Sequence, residues 1–156
     1  MNDQPVPEER AYRHVTCGNE TLVGGQSFEV VSNPMSSMEQ TMCSACNAMF
    51  PIAEFEWADT GEKISDYYTR HSQNATDMQR FLCSKKFMVA VILLFVILTE
   101  IGIYLLMSDE ETAVLAFCLV GGLMIGGIIG MSVFISGFAD PIKKKVCGVS
   151  DTRLLT

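Results

Sequence analysis

The sequence has 156 residues, 49% of them hydrophobic, and a formal net charge of −7. Residues 1–80 hold twelve acids against five bases while the second half is balanced, so the whole charge sits in the first half. A surface of that sign repels phosphate backbones and excludes nucleic-acid binding as the main activity.

The first ten residues, MNDQPVPEER, are polar and proline-containing and lack the apolar core of a signal peptide, so 1–10 reads as a disordered start. Residues 11–60 read as a small cytosolic β domain. Within it, QSFEVV (26–31) is strand-like, NPMSSMEQ (33–40) is loop-like, and 54–57 alternates acids with Phe55 and Trp57 as a half-buried strand does. A core drawn from so few residues of this polarity is marginal without a staple. His14-Val-Thr-Cys17 and Cys43-Ser-Ala-Cys46 supply one, because imidazole and thiolate ligands at this spacing suit a closed, structural, tetrahedral zinc site. Those residues are therefore the expected metal ligands of a zinc-ribbon-like fold. His71 is a substitute fourth ligand, and the alternative is a surface His14 beside a buried Cys17 thiol.

Residues 61–86 read as a juxtamembrane linker with a weak helix over 62–82. Cys83, just ahead of the first apolar run, and Cys147, beyond the second, are lipidation candidates if the soluble part faces a reducing cytosol. The runs themselves, FMVAVILLFVILTEIGIYLLM (87–107) and AVLAFCLVGGLMIGGIIGMSVFISGFA (113–139), are each long enough to cross a bilayer as a helix. Only residues 108–112 separate them, so the spans are antiparallel neighbours. Lys85, Lys86, Lys143, Lys144 and Lys145 flank the pair, whereas Asp109, Glu110 and Glu111 mark its tip. The positive-inside rule places both chain ends in the cytosol and the hairpin tip in the lumen. The sequons at Asn19 and Asn74 are then silent. In the second span Cys118, Gly122, Gly126 and Gly130 recur every four residues as a packing ridge, either for the first span or for a homo-oligomer. Glu100 is a functional candidate by virtue of its cost in lipid, or it escapes toward the interface.

The cytosolic tail, 140–156, ends on Asp151-Thr-Arg-Leu154-Leu155-Thr, an acid three residues before a leucine pair, which is the arrangement of a sorting signal read by coat adaptors. Tyr12-Arg-His-Val15 is a weaker sorting pattern. Cys147 and Arg153 share the Cys-x5-Arg spacing of cysteine phosphatases and are weak catalytic candidates, since a phosphate loop also needs a preceding strand and a following helix.

HVTCGNETLV (14–23), MCSACNAMFPIAEF (42–55), a cysteine before the first span and Asp140-Pro141 after the second together resemble the transmembrane phosphatidylinositol-4,5-bisphosphate 4-phosphatase family. The resemblance covers 12–57 and the topology of 80–142. It implies a small late-endosomal and lysosomal membrane protein with a cytosolic zinc domain, and phosphoinositide 4-phosphatase activity. No cysteine of the soluble part has an arginine six residues on, so no catalytic residue carries over. The expected fold is a membrane protein with two antiparallel transmembrane α-helices and a small zinc-ribbon-like domain. The expected function is recruitment of cytosolic adaptor or coat proteins, with weak binding of anionic phosphoinositides through the lysines. The alternatives are the phosphatase and a small oligomeric structural or channel-like protein.

Overall fold

The computed structural model describes residues 5–155, which divide into two units: 5–77 with 143–155, and 78–142. The first four residues of the 1–10 segment lie outside the described residues, and Glu9 and Arg10 are in a strand.

In the first unit, β1 (Glu9–His14) pairs antiparallel with β2 (Glu20–Gly24) and, on its other edge, with β5 (Phe55–Trp57), giving the order β2-β1-β5. A separate hairpin joins β3 (Gln40–Cys43) to β4 (Ala48–Pro51). The period-two pattern of β1 turns Tyr12 and His14 inward, each 2% exposed, while Arg13 stays at the surface between Glu20 and Glu56. The 54–57 strand expectation is met from Phe55 onward, Glu54 closing a short 3-10 turn.

The QSFEVV segment is a helix, not a strand: α1 spans Gly25–Ser32. Phe28, Val31 and Ser32, spaced i, i+3, i+4, are buried, whereas Val30 is exposed. Burial of that stripe overrides the β propensity of the valines. Asn33 before Pro34 then ends the helix. The loop that follows is pinned by the buried Met35, whose N–H bonds Asn33 Oδ1 at 2.9 Å.

Region 62–82 contains two helices, α2 (Ile64–Ser72) and α3 (Asp77–Leu82). Ile64 and Tyr67 of α2 complete an aromatic core with Tyr12, Phe28, Phe55 and Trp57; Trp57 meets Tyr67 edge-on at 5.6 Å and Tyr12 meets Phe55 at 5.2 Å. The Tyr67 and Tyr68 hydroxyls donate to the Ser32 and Val31 carbonyls at 3.0 and 2.7 Å, satisfying acceptors that the end of α1 leaves open.

The tail is folded rather than free. After α6 (Asp140–Cys147) and Gly148 (φ 73°), a 3-10 turn at Thr152–Leu154 sets Leu155 in the aromatic core, 7% exposed. The expected 11–60 domain is accordingly larger and is closed by both flanks of the apolar region.

The second unit holds α4 (Lys85–Met107) and α5 (Thr112–Phe134), each 23 residues and so about 35 Å long. Ser84 caps α4 by accepting from Phe87 N at 3.2 Å. Both helices are long and apolar enough to cross a membrane, and their apolar side chains face outward: Leu106 is 85% exposed and Phe117 81%. The expected second span runs on beyond α5 through a π-helical turn at Ile135–Ala139. The glycine ridge packs on α4. A Cβ on Gly126 would lie 2.7 Å from Val96 Cα, one on Gly130 2.7 Å from Ile92 Cα, and one on Gly122 against Ile103 and 2.7 Å from Glu100 Oε1. Glycine is required at 126 and 130 because backbone meets backbone there. Cys118, at the head of the ridge, is half-buried. Glu100 does not turn away from the helix pair, since its Oε1 is buried beside Gly122 without a hydrogen-bond partner among the described residues.

Candidate metal centre

His14 ends β1 and Cys17 sits in the turn to β2; Cys43 ends β3 and Cys46 sits in the turn to β4. The two turns are built alike. His14 faces Asn19, to whose carbonyl it donates at 3.0 Å, and Cys43 faces Ala48, so in each hairpin the first ligand opposes the fifth residue on and the second ligand is the third on. The residue after the second ligand is left-handed in both: Gly18 at φ 71° and Asn47 at φ 50°. Glycine and asparagine tolerate that conformation, which folds the second sulfur back over the hairpin end.

These hairpin ends converge. One ligand atom from each of His14, Cys17, Cys43 and Cys46 lies within 4.8 Å of every other, a group that could hold a metal ion. Cys17 Sγ is 3.6 Å from Cys43 Sγ, and Cys46 Sγ is 3.8 Å from His14 Nδ1. The imidazole lies between the rings of Phe50 (4.3 Å) and Phe55 (4.9 Å), and its Nε2 is 3.3 Å from Glu54 Oε2. A carboxylate on the far nitrogen fixes the tautomer and aims Nδ1 at the sulfurs, as outer-sphere partners of histidine ligands do. Glu54, Phe50 and Asn19 are not apparent from cysteine spacing. The register His14↔Phe55 is what brings Glu54 alongside the ring.

The electrostatics suit a cation. The Asn19 backbone N–H and side-chain amide hold the Cys17 thiol down at about 6, whereas hydrogen bonding to Cys17 and Cys43, reinforced by their charge and by burial, pushes Cys46 up to about 12. Burial works to lower the His14 pKa, but Glu54 and the sulfurs outweigh it and raise the value. A bound metal deprotonates its thiol ligands outright.

The other sequence-derived candidates lie elsewhere. His71 is on α2, edge-on to Tyr67 at 4.6 Å, and is not one of the converging ligands. Tyr12, proposed as part of a sorting pattern, is buried with its hydroxyl donating to Met42 O at 2.6 Å. Of the lipidation candidates, Cys83 is buried, and Cys147 is half-buried with its thiol pushed up by burial. Cys147 terminates α6 instead of a strand, and Arg153 is engaged by Asp151 in a forked pair (3.0 and 2.6 Å), so the two do not form a phosphate loop. Lys143 is buried with its Nζ 3.7 Å from Glu29, leaving Lys144 and Lys145 as the exposed lysines after the second apolar run.

No family model, curated protein or solved structure matches the chain.

Proposed function

We propose that the chain crosses a membrane twice and carries, on the cytosolic side, a zinc-stapled domain that recruits cytosolic partners at late endosomes and lysosomes. The observation that carries this reading is the make-up of the first unit: 5–77 and 143–155, the two flanks of an apolar helical hairpin, share one core. Flanks that fold together must lie on one side of any membrane the hairpin enters. The exposed lysines at the two ends of the apolar hairpin, Lys85 and Lys86 at the start of α4 and Lys144 and Lys145 after the second run, favour the cytosolic side and add about 1 kcal/mol each toward anionic head groups.

Zinc is the metal in this proposal because of the donor set and the spacing. A tetrahedral ion with bonds of about 2.3 Å to sulfur and 2.0 Å to nitrogen requires edges of about 3.8 Å between sulfurs and about 3.5 Å from sulfur to nitrogen. The 3.6 and 3.8 Å separations approach those edges. Four protein ligands leave no open position, so the ion's role is to hold the two hairpins together.

The surface offers a groove of about 570 Å³ between β2, α1 and the β3–β4 hairpin, lined by Val30, Met38, Met42 and Met49 with uncharged polar neighbours. Met42 and Met49 are about half exposed, and methionine walls adapt to different apolar segments. The organelle in the proposal comes from the resemblance over 12–57 and from the Asp151, Leu154, Leu155 pattern. Proximity labelling from the N-terminus of the full chain in intact cells tests the whole reading. The expected result is enrichment of cytosolic adaptor proteins together with endolysosomal membrane proteins; enrichment of luminal proteins, or of no one organelle, contradicts it.

A further inference from the structure

The segment Asp151–Leu155 carries two mutually exclusive features. In sequence it is an acid followed by a leucine pair, which an adaptor reads with the carboxylate and both leucines free at once. In the fold none of the three is free: Asp151 is held by Arg153 and accepts from Arg153 N at 2.9 Å, Leu154 is half-buried and Leu155 lies in the core.

The docking is made on α1. Thr152 is wholly buried, with Oγ1 3.1 Å from Ser32 Oγ and donating to Glu29 O at 3.2 Å. Lys143 adds its pair with Glu29. Neither α1 nor the tail contributes a ligand to the metal cluster, whose four residues come from the β1–β2 and β3–β4 hairpins. The tail therefore carries none of the ligands, although Leu155 shares the core with Cys43.

We propose that Asp151–Leu155 is a latch: docked on α1, it completes the core and conceals the signal, and released, it presents Asp151, Leu154 and Leu155 to an adaptor. The concealed-signal half rests on the sorting reading above; the docking half rests on the contacts alone.

The test uses the full chain in detergent micelles and a purified adaptor domain that binds Asp-x-x-Leu-Leu peptides. Thr152→Glu forces a charge into the buried socket beside Ser32 without altering the signal, Ser32→Asp does so from the other side, and Thr152→Ser keeps the hydroxyl. Hydrogen exchange at the Leu154 and Leu155 amides, bonded to Asp151 O (3.2 Å) and Thr152 O (3.1 Å), is expected to be at least tenfold faster in both charged variants, with metal content unchanged. Adaptor retention is expected to rise at least tenfold in the same variants, to stay at the wild-type level in Thr152→Ser, and to vanish when Leu154→Ala and Leu155→Ala are added. Unchanged exchange, or equal retention by wild type and charged variants, overturns the latch. Faster exchange with no retention by any form overturns the concealed signal and the sorting reading with it, while the docking itself stands.

Discussion

Replacing Leu155 by alanine should unfold the first unit far more readily than the same change at Leu154, although the two are neighbours in one leucine pair. Leu155 is 7% exposed within the aromatic core, and the change removes three carbons from it. At about 0.8 kcal/mol per buried carbon, plus a term for the cavity, the loss is about 3 kcal/mol. Leu154 is half-buried and outside the core cluster, so its truncation should cost under about 1 kcal/mol. The chain's single tryptophan, Trp57, is fully buried beside Tyr67, so its fluorescence reports this unit while the apolar helices stay silent. With a urea slope of about 1.5 kcal/mol per M, the Leu155→Ala midpoint should fall by about 2 M and the Leu154→Ala midpoint by less than about 0.7 M. Equal shifts, or no shift at Leu155, would refute the docked tail. In trafficking experiments the double leucine substitution therefore perturbs folding as well as any signal.

Glu54→Ala should weaken metal affinity by about tenfold in a chelator competition, because His14 Nε2 loses the acceptor that orients the ring. Gly126→Ile should destabilise the α4–α5 pair by about 1–3 kcal/mol in thermal unfolding followed by helical circular dichroism, since its side chain meets the Val96 backbone; Gly127→Ile, with nothing within 4 Å, is the neutral control. Arg153 holds the Asp151 carboxyl below its ordinary range, so the folded state binds its proton less readily than the unfolded chain does. This contribution is full above the ordinary aspartate pKa and is lost as pH falls through the depressed folded value. Exchange at the 151–155 amides, corrected for intrinsic rates, should speed up over that acid window in wild type, and the step should be absent in Asp151→Asn. If the cytosolic orientation is right, Asn19 and Asn74 stay unglycosylated in cells, and a mobility shift removed by glycosidase would reverse it.

What the sequence discloses here follows the range of the interactions. The metal quartet is legible because each pair sits in one hairpin turn, three residues apart, and the apolar runs are legible because length and hydropathy are local properties. Pairing of His14 with Glu54 depends on strand register, which spacing does not contain. For α1 the local signal points the wrong way: Val30 and Val31 favour a strand, and only a core that takes Phe28, Val31 and Ser32 from one side makes the segment helical. Docking of the tail is the least legible feature, because Ser32 and Thr152 are 120 residues apart and their hydroxyl pair has no counterpart in any motif. Two buried residues, Thr152 and Leu155, decide the structure of the tail.

The central claim is that His14, Cys17, Cys43 and Cys46 close one metal site that holds the two hairpins together. X-ray absorption at the zinc edge of the full chain, purified under reducing conditions with metal content measured in parallel, tests it most directly. The expected result is about one zinc per chain with three sulfurs at about 2.3 Å and one nitrogen at about 2.0 Å, the nitrogen shell disappearing in His14→Cys. A chain that retains no zinc after mild dialysis, or a spectrum dominated by oxygen ligands, contradicts it.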